Sequence, residues 1–164
     1  MEVMMKYLDA INEFLNRVLI VLGGIAVMAL MLLATGNVVL RIFSMPYKGT
    51  YEIVSFLGAV VIAFALGFTQ KTKSNIVVDI LTEKFSKEVQ SIIDKIADLI
   101  IMIFFGIACW QIYVWGIKIC ESREVSETLK IPFYPFVFAV AIGFAVLSFT
   151  AFVDFLKNLL RKEE

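Results

Sequence analysis

The residue types that carry most protein chemistry are sparse in this sequence. Histidine is absent from its 164 residues, which removes the commonest general base and neutral metal ligand. Two cysteines, Cys109 and Cys120, stand eleven positions apart on one apolar segment. On a helix that spacing separates them by about 16 Å, too far for a disulfide, so they read as two buried apolar thiols. Charged residues make up 18% of the chain and collect at the ends of apolar runs. Glu52, Asp98 and Asp154 occupy such ends, where a carboxylate reaches water. The deepest strongly polar side chain is Gln111 in the third run, and Thr35 and Asn37 lie one turn inside the first. Each can hydrogen-bond to a neighbouring helix. A solute pathway through a bilayer needs ionisable groups at depth, where only function justifies their cost. None lies deep in these runs, so the expectation is a chain that is not an enzyme, binds no cofactor or metal, and has no translocation pathway of its own.

The elements that hold these residues are dictated by hydropathy. The chain is 60% hydrophobic with a mean hydropathy of +0.88, against about 45–50% apolar in globular domains. A soluble fold of this size cannot hide that surface, so the solvent is lipid. Between Arg17 and Arg41 lie 23 uncharged residues, between Glu52 and Lys71 18, between Asp98 and Lys118 19, and between Lys130 and Asp154 23. A membrane helix needs roughly 20, within about 17–25. In lipid only helices and closed barrels satisfy the backbone. Barrel strands alternate apolar and polar, and these segments are apolar all round. The sequence therefore predicts an all-α integral membrane protein, one domain over 1–164, with membrane helices at 18–40, 51–70, 97–119 and 132–154.

Local signals agree. Pro132 and Pro135 suit the first turn of the fourth helix, where a missing N–H is tolerated. Residues 45–49 form a turn between the first two helices. Tyr51, Trp115, Phe133 and Tyr134 sit near segment ends, where aromatic rings prefer the headgroup level. Two stretches are amphipathic, 1–17 and 79–96. Met4, Leu8, Ile11, Leu15 and Val18 make one apolar stripe, with Asn16 off it; Leu81, Phe85, Val89, Ile92 and Ile96 make the other. Such helices lie in the membrane interface or cover a partner.

Lys and Arg set the orientation. Ten fall on the side of the two termini and the middle loop: Lys6, Arg17, Lys71, Lys73, Lys84, Lys87, Lys95, Lys157, Arg161 and Lys162. Five fall on the other: Arg41, Lys48, Lys118, Arg123 and Lys130. The positive-inside rule places both termini in the cytoplasm. The first 17 residues do not read as a cleavable signal peptide. Zero net charge excludes a nucleic-acid partner. Ser55, Ala59, Ala63 and Gly67 recur every fourth residue of the second helix, with a shorter pair at Ala139 and Gly143. Small residues on one face let another helix approach, within this chain or from a partner.

Three local features then give the chain a family likeness. Tyr51-Glu52 opens the second helix. Asn75-Ile76-Val77-Val78-Asp79 follows it, with Asn75 where a histidine is common. Ser126-x-Thr128-Leu129-x-Ile131-Pro132 leads into the fourth helix. In this order the chain resembles, over nearly its whole length, the small membrane subunit of tripartite ATP-independent periplasmic (TRAP) transporters, the DctQ-like family. The resemblance implies a bacterial or archaeal cytoplasmic membrane and two protein partners. One is an extracytoplasmic protein that captures a solute, often a carboxylate. The other is a large membrane subunit, a separate polypeptide, that carries the solute with sodium. The small subunit would brace the large one and help dock the binding protein.

On that reading Arg41, Glu52 and Lys48 near the outer face can meet the partners. Asp79 can cap the cytoplasmic amphipathic helix. Lys71 and Lys73 can hold phospholipid headgroups or a partner's acid. The competing readings are a self-contained four-helix transporter, which wants an acid deep in the membrane, and a structural assembly subunit. A redox subunit would want histidines or paired cysteines.

Overall fold

Three prolines punctuate the sequence, and the long stretches between them are free to run as helix. The computed structural model describes residues 2–45, 47–74 and 86–160. It contains four helices among them: α1 (Glu2–Ile42), α2 (Thr50–Lys71), α3 (Lys87–Ser122) and α4 (Tyr134–Leu160). No strand is assigned among the described residues; Val125 and Pro132 form an isolated antiparallel bridge. By length and composition α1, α2 and α4 are each apolar and long enough to cross a bilayer.

The expected amphipathic start is not a separate element. It continues without a break into the apolar run, giving one helix of 41 residues, about 62 Å long, twice the roughly 30 Å of a hydrocarbon core. No proline or glycine stands between Glu2 and Leu22 to end it. Within the chain the start of α1 packs mainly through polar residues, with Leu15 of the apolar stripe against the core. Met4, Ile11 and Val18 are exposed, while Asn12, Asn16 and Leu19 are buried. Hydrogen bonding offsets part of the cost: Asn16 Nδ2 and Asn12 Oδ1 find partners inside, while Asn16 Oδ1 has none among the described residues.

The second amphipathic stretch behaves alike where it is described. Residues 87–96 belong to the same helix as the third apolar run, with Val89, Ile92 and Ile96 exposed. Ser86 caps α3, its side chain accepting the N–H of Val89 at 3.5 Å. Asn75, Asp79 and the first part of the expected 79–96 helix, residues 79–85, lie outside the described residues. The fourth helix begins two residues later than expected, because Pro132 is held in the bridge to Val125. It ends later too, at Leu160.

The helices pack as an open row: α3 against α4, α4 against α2, and α2 against α1, with α1 also touching α4. The core holds Leu19, Val60, Ala63, Phe64 and Val146, backed by Phe136, Val140 and Phe144. Small residues set the crossings. A Cβ on Gly143 would lie 2.6 Å from the carbonyl oxygen of Ala63, so α2 and α4 meet backbone to backbone there. A Cβ on Gly67 would lie 2.6 Å from Asn16 Oδ1, which brings α1 onto α2. Ser148 ties α4 to α3 by donating to the Met102 carbonyl at 2.9 Å, and the Cys109 thiol donates to the Ala141 carbonyl at 3.3 Å. Both cysteines are free thiols, but neither is buried as expected: Cys109 is half-buried and Cys120 is exposed on α3.

Candidate functional site

Two polar clusters lie at opposite ends of the helices. The first is built by the α1–α2 and α3–α4 connections. α3 ends on Arg123, whose φ of 52° is left-handed, and its last turn is closed by a backbone bond to the Ile119 carbonyl. The chain then folds back on itself. Ser126 donates its N–H to the Ile131 carbonyl at 2.9 Å, and its hydroxyl accepts the Ile131 N–H at 3.1 Å. Lys130 takes a φ of 56° to close this tight loop, and Ser126 is 2% exposed beneath it.

Glu52 in the first turn of α2 grips the tip of the loop. One carboxylate oxygen accepts the N–H of Thr128 at 2.6 Å and the other accepts that of Leu129 at 3.0 Å. Hydrogen bonds of this kind to an ionised acceptor are about twice as strong as neutral ones. The side chain of Leu129 rests on Gly49, where any Cβ would stand 2.5 Å from three of its carbons. Phe56, one turn below Glu52, stacks on Phe136 with ring centres 4.6 Å apart and meets Phe133 edge-on at 5.2 Å. The start of α2, the loop and the start of α4 are thereby one clamped unit. Asn37 ties in α1, its Oδ1 accepting the Tyr47 N–H at 2.9 Å.

The second cluster lies where α1 begins and α4 ends. Asn16 donates to the Asn12 side chain at 2.8 Å and to the Thr150 hydroxyl at 3.0 Å, and Thr150 donates to Asn12 Oδ1 at 2.8 Å. All three are at most 2% exposed. Beside them Asp98 of α3 accepts from Gln70 of α2 at 3.2 Å and from Asn158 of α4 at 2.8 Å. Two ion pairs rim this end, Lys157–Asp9 at 2.7 Å and Lys71–Glu13 at 3.9 Å. The cluster bonds all four helices together.

The structure thus joins two of the sequence features that stood apart, Glu52 and the Ser126–Pro132 stretch. It divides the small-residue stripe of α2. Ala63 and Gly67 are buried in packing within the chain, whereas Ser55 and Ala59 are exposed. Ser55 bonds to its own helix, donating to the Tyr51 carbonyl at 2.9 Å. Arg41 is exposed in the last turn of α1, away from the clamp's hydrogen bonds. Lys71 is held by Glu13, and Lys73 closes the end of α2 with a φ of 50°. Gln111, expected to bond across to another helix, is exposed and has no hydrogen-bond partner among the described residues.

Sequence reasoning missed Asn12, Thr150, Gln70 and Asn158. Asn12, set four residues before Asn16, was the available sign of a polar helix face. No group of three or more metal-ligating side chains is assembled among the described residues. The chemistry these clusters can do is to hold helices and a loop in fixed relation.

The family model of the tripartite ATP-independent periplasmic transporters, DctQ component, matches residues 30–161. No curated protein and no solved structure matches the chain.

Proposed function

We propose that this chain, which belongs to the DctQ component family of tripartite ATP-independent periplasmic transporters, serves as the fixed scaffold of such a transporter. It braces a large membrane subunit and offers its clamped loop end to the extracytoplasmic binding protein. Solute, with small carboxylates as the class, and sodium bind in the partners. In this reading α3 is the fourth crossing, through its uncharged run from Leu99 to Ile117. Both termini face the cytoplasm and the Glu52 clamp faces outward, following the Lys and Arg asymmetry.

The observation that carries the reading is how the buried polar side chains are used. The buried Asn12, Asn16, Gln70, Asp98 and Thr150, with the half-buried Asn158, bond helix to helix, and Glu52 fixes a loop. The buried Asp154 stands apart, its Oδ2 without a partner among the described residues. A moving carrier keeps such groups for its cargo, often beside broken helices. Here α1, α2 and α3 run unbroken past their apolar runs, and α4 is continuous from Tyr134 to Leu160. Such a body resists load, which suits a platform against which another subunit moves.

Co-expression tests it. A tagged copy of this chain should pull down the large membrane subunit at a fixed ratio from gently solubilised membranes. Recovery of the chain alone, with the large subunit present in the same membranes, would refute the scaffold role.

A further inference from the structure

The open row leaves α3 packed on α4 with a cleft between α3 and α2. The cleft encloses about 250 Å³ and is lined by Phe56 and Ala59 of α2, Ile112 and Trp115 of α3, and Phe136 and Val140 of α4. Ile112 and Trp115 also border a shallower groove with Gln111 and Lys118. The two depressions are therefore one continuous surface. Gln111, Trp115 and Lys118 recur at spacings of four and three, which puts them on one face of α3.

Two polar groups on this surface are unmatched. Gln111 lies seven residues before Lys118, about two helical turns into the apolar run. Its amide has no hydrogen-bond partner among the described residues, and Lys118 has no ion pair among them. Acyl chains cannot satisfy an amide at that depth, whereas a neighbouring helix can. Ala59, exposed at the cleft wall, allows a close approach.

We infer that the α2–α3 cleft seats one transmembrane helix of the large subunit. That helix presents a hydroxyl, amide or free carbonyl level with Gln111 and an acidic side chain level with Lys118. The inference rests on the scaffold reading and names the surface that reading leaves open. Ridge-in-groove seating on α2 and α3, floored by α4, would close the open side of the row.

The test is photo-crosslinking in cells that express all three transporter components. A benzophenone side chain replaces Ala59, Gln111 or, as a control on the far edge helix, Met28, which is 58% exposed on α1. Adducts between this chain and the large subunit from Ala59 and Gln111, and not from Met28, are expected. In parallel, Gln111→Leu should lower the co-purified large subunit by about threefold or more, the effect of one interhelical hydrogen bond, with Gln111→Asn closer to the parent. Expression and thermal midpoint of the variant alone should not change. Adducts from Met28 only, or adducts from Gln111 only with lipid or a second copy, would overturn this docking surface and leave the scaffold reading standing. Failure of the unsubstituted chain to co-purify the large subunit would overturn both.

Discussion

Glu52 and Thr128 lie 76 residues apart in sequence, yet the Glu52 carboxylate takes the Thr128 N–H at 2.6 Å and the Leu129 N–H beside it. This joins the first turn of α2 to the loop that leads into α4. Glu52→Ala removes both acceptors and leaves two backbone donors to find water. Amide exchange at Thr128 and Leu129 should accelerate about tenfold to a hundredfold, as expected for hydrogen bonds to a charged group. Glu52→Gln keeps one acceptor oxygen and should fall between. Unchanged exchange in Glu52→Ala would mean that the loop holds its shape without the carboxylate.

The α2–α4 crossing depends on Gly143. Gly143→Ala drives a methyl group into the Ala63 carbonyl, 2.6 Å away, and backbone cannot rotate aside. The variant should lose about 1–3 kcal/mol, read as a lower thermal midpoint in detergent. Gly58→Ala is the control, because a Cβ there meets nothing within 4 Å. It should be neutral or stabilising by about 0.5–1 kcal/mol, since mid-helix glycine is unfavourable. A similar loss in both would show that the crossing does not require the close approach.

Ala63 makes the same point from the other helix. It is 1% exposed, whereas Ile62 beside it is 65% exposed. Ala63→Leu should push α2 from α4 and sharply reduce folded yield, and Ile62→Phe should leave it near the parent. Equal yields would show the small-residue stripe to be incidental.

Thr150 links α4 to both α1 asparagines. Thr150→Val keeps the shape and deletes the hydroxyl, leaving Asn12 and Asn16 each short of a partner in a buried site. A loss of about 1–3 kcal/mol is expected, with Thr150→Ser nearer the parent. If Thr150→Val matches the parent, the asparagines bind each other well enough without it.

The four helices were legible because charge placement brackets each apolar run, and lipid leaves the backbone few other choices. Continuity was not legible. The apolar stripe of Met4, Ile11 and Val18 stood out in the sequence, while the burial of Asn12 and Asn16 did not, because it depends on a partner on a distant helix, Thr150. Such pairings depend on tertiary approach; the four-residue spacing of Asn12 and Asn16 marks a polar face but not its partner. The clamp was half legible. Glu52 and the Ser126–Pro132 stretch each stood out, but their contact depends on how α2 and α4 cross. The stripe of α2 showed that something comes close, and only the packing separates Ala63 and Gly67, used within the chain, from Ala59, turned outward.

The central claim is that this chain supports transport and carries nothing itself. The direct measurement is uptake of a panel of radiolabelled small carboxylates into liposomes with an inward sodium gradient. The chain alone should give background uptake, and the chain with the large subunit little more. Adding the binding protein should give sodium-dependent uptake of at least one carboxylate. Gradient-driven uptake by liposomes that contain this chain alone would contradict the account.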